Sequence, residues 1–122
     1  MEKEIAGVVM SGRGLGKQLG FPTINVHYDG QTEGVFLGRI FLENKWHDSV
    51  IHVGKKPTVS DVGVFCEVHV LDWNKDVAWG TEVRVELNEK IRDTKKFTDT
   101  EELKSQIAKD VEFAKKTYRI DG

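Results

Sequence analysis

Short apolar runs with a period near two fill the first three quarters of the chain. "IAGVVM" (5–10) is apolar and partly β-branched. "EGVFLGRIFLE" (33–43) carries Val35, Phe36, Leu37, Ile40, Phe41 and Leu42, so both faces of this segment are apolar. A strand apolar on both sides needs cover on both, and one face is expected to pack on something besides the main core. "KWHDSVIHVG" (45–54) reads as its partner, with "ENK" (43–45) as the hairpin loop. In "VFCEVHVLDW" (64–73), Cys66, Val68 and Val70 share one face, while Phe65, Glu67, His69 and Leu71 share the other. "TEVRVELNE" (81–89) sets Val83, Val85 and Leu87 against Glu82, Arg84 and Glu86, and Asn74–Asp76 with Gly80 marks the turn before it.

The last quarter changes period. Leu103, Ile107, Val111, Ala114 and Tyr118 recur at helical spacing. Either Thr98 with Glu101 or Asp99 with Glu102 supplies a capping box at the start. Lys115, Lys116 and Arg119 suit the negative end of the helix dipole. Strands followed by one amphipathic helix predict a mainly β domain, a sandwich or a closed barrel, with the helix over one opening or flank.

Composition narrows the function classes. The chain has 122 residues, 39% apolar and 31% charged, which fits one ordinary globular domain with its own core. The net charge of -2 lacks the basic excess of a nucleic-acid binder, so no nucleic-acid partner is expected. Cys66 is the only cysteine, which allows no intrachain disulfide and fits a reducing compartment. "MEKEIAGVV" has no signal-peptide core, and no stretch reaches membrane-spanning length. These features predict a cytoplasmic monomer with no membrane partner.

Candidate chemistry concentrates in "SGRGLGKQLGFPTINV" (11–26). Gly12, Gly14 and Gly16 alternate, with Arg13 and Lys17 among them. It is not a Walker A loop, because Gln18 follows Gly16-Lys17 and Ser11 stands where the first glycine belongs. It is not the dinucleotide fingerprint either, because Lys17 replaces the third glycine and no strand–helix unit follows. Glycine-rich backbone can still turn its N–H groups inward as an anion nest, with Arg13 and Lys17 adding charge. The alternative is a hairpin tip with solvated cations. Pro22 fixes its own φ and holds Phe21 extended, which places Thr23 and Asn25. If the segment is extended, both point to one side. Their uncharged oxygens suit Mg²⁺ that arrives with a nucleotide, since this ion borrows much of its shell from water and phosphate. Alternatively they satisfy turn backbone.

These residues carry a resemblance. "GRGLGKQLGFPTIN" is similar to the signature of the bacterial and eukaryotic riboflavin kinases. "EGVFLGRI", "VGKKPT", "CEVHVLDW" and "EKIRDTKKFTDTEELKSQIAKDVEFAKK" resemble further blocks of that family, in order, over nearly the whole chain. The resemblance implies a six-stranded antiparallel Greek-key β-barrel with a C-terminal α-helix. It implies transfer of the ATP γ-phosphoryl to the ribityl 5′-hydroxyl of riboflavin, giving FMN and ADP. By position, Thr23 and Asn25 match the metal-nucleotide residues, with Mg²⁺ or another divalent metal. Glu67 matches the catalytic carboxylate. The loop of Gly12, Arg13, Gly14, Gly16 and Lys17, closed by Pro22, matches the flap over the phosphates, and Arg92 with the loop after it matches the flavin side. Many bacterial members carry an N-terminal adenylyltransferase domain that makes FAD. Here the barrel begins within the first residues, so residues 1–122 are expected to form a single kinase domain that does not make FAD.

Three departures from the family pattern stand near the side assigned to flavin: His52 before Val53-Gly54, Trp79 in a longer "KDVAWG" turn, and Asp93-Thr94 after Arg92. Of the remaining residues, His27, His47, His52 and His69 show no metal spacing, and Cys66 reads as a small core residue. Trp46, Trp73 and Trp79 are candidates to stack on a flavin ring or to pack in the core. Two other classes fit less of the sequence: a regulatory barrel that binds flavin or nucleotide without turnover, and a small nucleic-acid-binding barrel.

Overall fold

The computed structural model describes residues 3–10, 20, 21, 23–55, 64–73, 75 and 77–121. Six strands run in the order β1 (Glu4–Met10), β2 (Ile24–Val26), β3 (Gly34–Leu42), β4 (Lys45–Lys55), β5 (Val64–Val70) and β6 (Glu82–Arg92), followed by one helix, α1 (Thr100–Asp121). All neighbours pair antiparallel and close in the order β1-β2-β5-β4-β3-β6. β3, β4 and β5 form a meander, and β2 returns to lie beside β5, which is a Greek key. Of the two architectures the pattern allowed, the barrel is the one formed, and closure leaves no free edge. Five strands coincide with the apolar runs. The sixth, β2, is three residues long, too short to show a period.

The strands alternate as the sequence requires. Ile24, Val26, Phe36, Ile51, Cys66 and Val68 are among the residues that fill the interior. Cys66 is fully buried; burial, with Glu67 beside it, pushes its thiol up to about 12. The β3–β4 hairpin is tighter than expected. Lys45 already pairs with Leu42, and Glu43 and Asn44 alone make the turn at φ 50° and 62°, the primed geometry that suits twisted strands. Gly38 is required by proximity: any side chain there would collide with the Glu86 carbonyl across the β3–β6 ladder, which is bulged on both sides of Leu37.

The apolar outer face of β3 has the partner its sequence demands. Val35 and Leu37, with Val50 of β4, form a second buried cluster with Val111 and Ala114 of α1. Full burial of such side chains stabilises by roughly 1.5–3 kcal/mol each. The helix starts at Asp99, whose carboxylate accepts from Glu101 N at 2.8 Å, so the first of the two capping options is not the one used. Two polar clasps then fix α1. The Tyr118 hydroxyl donates to the carbonyls of Gly38 (2.7 Å) and Ser49 (3.1 Å). Asp110 accepts from Arg92 Nε at 3.0 and 3.1 Å and from Nη2 at 2.8 Å, and from Gln106 at 3.0 Å.

Two outcomes test these clasps. Asp110→Ala leaves the Arg92 guanidinium, only 17% exposed, without its counter-ion, and is expected to lower unfolding free energy by about 3 kcal/mol in a urea titration. An unchanged midpoint would mean that the Arg92–Asp110 pair does not help to hold α1. Burial and the nearby Asp48 push the Tyr118 phenol up to about 12 from an ordinary 10. The folded chain therefore keeps a proton that the unfolded chain releases. The stabilisation is complete below pH 10 and disappears as pH approaches 12. The melting temperature of Tyr118→Phe is expected to lie below that of the parent at pH 8, and the gap should narrow above pH 10.

Candidate active site

One row of register partners runs around the outside of the barrel: Met10 (β1), Asn25 (β2), Glu67 (β5), His52 (β4), Val35 (β3) and Arg92 (β6). The row does not close on itself. Met10 lies beside the start of β6, where Val8 pairs with Glu82, while the row leaves β6 at its far end, at Arg92. A tilted, staggered barrel requires this offset. The row therefore passes from open surface at Met10 to the buried seam under α1 at Val35.

Asn25 and Glu67 stand at its middle, directly opposite one another. Their outward direction follows from their neighbours, since Ile24, Val26, Cys66 and Val68 are all interior. β2 is held on its other side by His27 N, which donates to Val8 O at 2.9 Å. Thr23 directly precedes the strand and is half-buried, with buried Ile24 between it and Asn25. Asn25 Oδ1 is buried and accepts no hydrogen bond among the described residues. A buried carboxamide oxygen left without a donor costs roughly 1–3 kcal/mol, so it marks a place where a ligand can supply what the fold does not. An uncharged carboxamide oxygen, two residues after a threonine in sequence, is a ligand type that suits a hard divalent cation. Among the described residues, no group of three or more His, Cys, Asp or Glu side chains is placed to hold a metal, so such an ion would depend on its phosphate ligands here.

Glu67 is half-buried in a frame of rings. Two residues to one side, Phe65 meets His52 edge-on at 4.9 Å; two residues to the other, His69 meets Phe21 at 5.8 Å. His52, a departure from the family pattern, is thus the register partner of Glu67 on the side away from Asn25. Arg92 lies two strands further on, with its guanidinium engaged by Asp110 and by the Asp93 carbonyl at 3.0 Å. Lys90 lies 2.6 Å from the exposed Asp93, and this contact holds the Asp93 carboxyl below its usual range. Asp110 was missed from the sequence, although a lone carboxylate within the helix's apolar stripe was the available signal.

The tryptophans separate. Trp73 packs against the barrel core and against His47 at 4.8 Å, and Trp46 lies under Arg39 at 4.4 Å. Trp79 is exposed. It precedes β6, whereas Arg92 ends that strand, so the two stand at opposite ends of β6. Gly12, Arg13, Gly14, Gly16, Lys17 and Pro22 lie outside the described residues, as do Asn74, Asp76 and positions 56–58 of "VGKKPT". Among the described residues, no helix is long and apolar enough to cross a membrane.

Comparison with known proteins agrees with the fold. The sequence matches the Flavokinase family, described as riboflavin kinase, over residues 2–118. It is 34% identical to the RNA-binding riboflavin kinase RibR of Bacillus subtilis, over 97% of this chain and 52% of that protein. It is 38% identical to the bifunctional riboflavin kinase/FMN adenylyltransferase of Escherichia coli K12, over 87% of this chain and 35% of the relative. The chain thus spans about half, or about a third, of these relatives' length. Among solved structures, a macrolide-efflux protein from Streptococcus pneumoniae superposes with a TM-score of 0.77 at 28% identity, over 92% of this chain and 38% of that one. A family match across almost all of the sequence, on a closed six-stranded barrel with a terminal helix, places this chain in the riboflavin kinase family.

Proposed function

We propose that this barrel transfers the γ-phosphoryl group of ATP to the 5′-hydroxyl of riboflavin's ribityl chain, yielding FMN and ADP, and that it suffices for this reaction. The observation that carries the reading is the pairing of Asn25 with Glu67 on one outward row, with Asn25 Oδ1 buried and lacking a donor among the described residues. Asn25 and Thr23 would hold Mg²⁺ with the nucleotide, and the ion when bound neutralises charge on the phosphate oxygens. The loop of Gly12, Arg13, Gly14, Gly16 and Lys17, entering β2 through Pro22, covers the phosphates in this reading.

Glu67 orients the acceptor. Its carboxylate accepts a hydrogen bond from the ribityl hydroxyl and so aims that oxygen at phosphorus. As the new O–P bond forms, the bond from the γ-phosphorus to the β–γ bridging oxygen breaks. The hydroxyl proton passes to Glu67 and then to water, and ADP departs. The rings of Phe65 and His69 along the strand limit the water around the carboxylate. Arg92 serves the flavin side by position: with its guanidinium held by Asp110, it fixes where the loop after β6 begins. The Bacillus relative's name adds RNA binding, but a net charge of -2 gives this chain no electrostatic reason to share it.

The test is direct. Protein, riboflavin, ATP and Mg²⁺ should yield FMN by chromatography. Glu67→Gln is expected to lower kcat about 10²–10⁴-fold, the usual contribution of a placed base, while riboflavin and ATP still bind. Full activity in that variant would remove Glu67 from the mechanism. Binding of both substrates by the parent chain without any FMN would favour a regulatory barrel instead.

A further inference from the structure

His52 has no part in the chemistry above, yet it stands beside the carboxylate that does. It is the register partner of Glu67 across the β4–β5 ladder. Side chains directly opposite one another in an antiparallel pair have Cβ atoms about 4.5–5.5 Å apart, so their polar ends can meet. Ile51 and Val53 are interior, so His52 points outward, as Glu67 does. Its ring meets Phe65 of β5 edge-on at 4.9 Å, and its Nε2 is buried although the residue as a whole is half-buried. Its other ladder partner, Val35, is apolar and lies under α1. Of these two partners, Glu67 is the one that can answer a charge on His52.

The other ionisable groups around His52 are engaged, screened or one pair removed. On β5, His69 stands opposite Val50, with its ring against Phe21. From β6, Arg92 comes beside Val35 and is held by Asp110 of α1. Lys90 lies against Gly34 and is held by Asp93. Glu33 lies against Gly54 and is exposed to solvent. The α1 residues in the cluster with Val35, Val111 and Ala114, are apolar. On β4 itself the outward neighbour is Val50, with Asp48 beyond it.

We infer that His52 is a positioning residue for Glu67: as neutral imidazole it leaves the carboxylate to the ribityl hydroxyl, and as imidazolium it claims the carboxylate for itself. The inference rests on the kinase reading and adds a residue and a pH dependence to it. An opposite charge at this range makes a carboxylate about 10- to 1,000-fold weaker as a base. It also draws toward itself an oxygen that the acceptor needs. No covalent step is added, because the imidazole takes a proton from water as pH falls and returns it as pH rises. Below the usual imidazole range, about pH 6.5, Glu67 is held and turnover is slow; above it, Glu67 is free and turnover is full. An uncharged amide in place of His52 leaves Glu67 free on both sides of that range. His52 is one of the departures from the family pattern, so this dependence belongs to this chain and not to relatives without a histidine there.

FMN formation at saturating Mg²⁺ and ATP, with riboflavin varied at each pH, tests this in the parent chain, His52→Asn, His52→Gln and His69→Gln. The parent's kcat/KM for riboflavin is expected to fall about tenfold from about pH 8 to about pH 5.5. In His52→Asn and His52→Gln the fall should shrink to within about twofold, whatever the height of the profile, and His69→Gln should keep the parent's shape. A merely structural role would lower the rate at every pH and leave the shape as it was. All four proteins share one nucleotide, so titration of its phosphates cancels from the comparison. The ring protons of His52 give a second readout by NMR that needs no turnover. Glu67→Gln removes the carboxylate and should move the His52 titration to lower pH. The inference is overturned if the parent has no acid limb, if the limb survives in the His52 variants or vanishes in His69→Gln, or if Glu67→Gln leaves the His52 titration where it was. Each of those results leaves the kinase reading standing. If the parent makes no FMN with any nucleoside triphosphate and divalent metal, the kinase reading fails and takes this inference with it.

Discussion

The register of β2, three residues locked between β1 and β5, is the constraint on which the site depends. Ile24 and Val26 point into the barrel opposite Val68 and Cys66, which leaves Asn25 facing outward beside Glu67. A slip of one residue would put the carboxamide into the core and both branched side chains into water. Each interior side chain contributes roughly 1.5–3 kcal/mol by burial. The unsatisfied oxygen of Asn25 costs roughly 1–3 kcal/mol. The two apolar anchors outweigh the cost of the polar atom between them, and a short strand can therefore hold a group that is poorly solvated until a ligand reaches it.

The helix makes the barrel wall asymmetric. α1 covers β3 and part of β4 because both present apolar residues outward, and it is tied there by Tyr118 at one end and by the Arg92–Asp110 pair nearer its middle. Among the described residues nothing comparable covers β1, where Val8 and Met10 are exposed. The stagger of a closed barrel carries one row of residues from the uncovered wall to the covered one. Asn25 and Glu67 sit at the transition, half-buried, with open surface on one side and the helix seam on the other. A two-substrate site gains from such a border, because two ligands can approach one reacting centre from opposite directions.

Much of this was legible in the sequence. Alternation put Cys66, Val68 and Val70 on one face and Glu67 on the other, so that a core under the first three turns Glu67 outward. The doubly apolar run around Val35 and Leu37 required a second packing partner, and the 3.6-residue spacing of Leu103 through Tyr118 supplied one. These features are local, fixed by the period of a strand or a helix. Other features were not legible, for reasons that are also physical. β2 is shorter than any period that could reveal it. Asp110 lies 18 residues from Arg92, Tyr118 lies 80 from Gly38, and Gly80 N reaches Val9 O of the first strand.

Sequence alone thus separated the two faces of β5 and β6 and marked the apolar stripe of the helix, because backbone geometry repeats over a few residues. Only the closed barrel decided which outward residues became neighbours. That choice depends on strand order and stagger, set by the packing of the whole core and by no single segment. It is why Asn25, Glu67 and His52 stand side by side although stretches of 42 and 15 residues separate them along the chain.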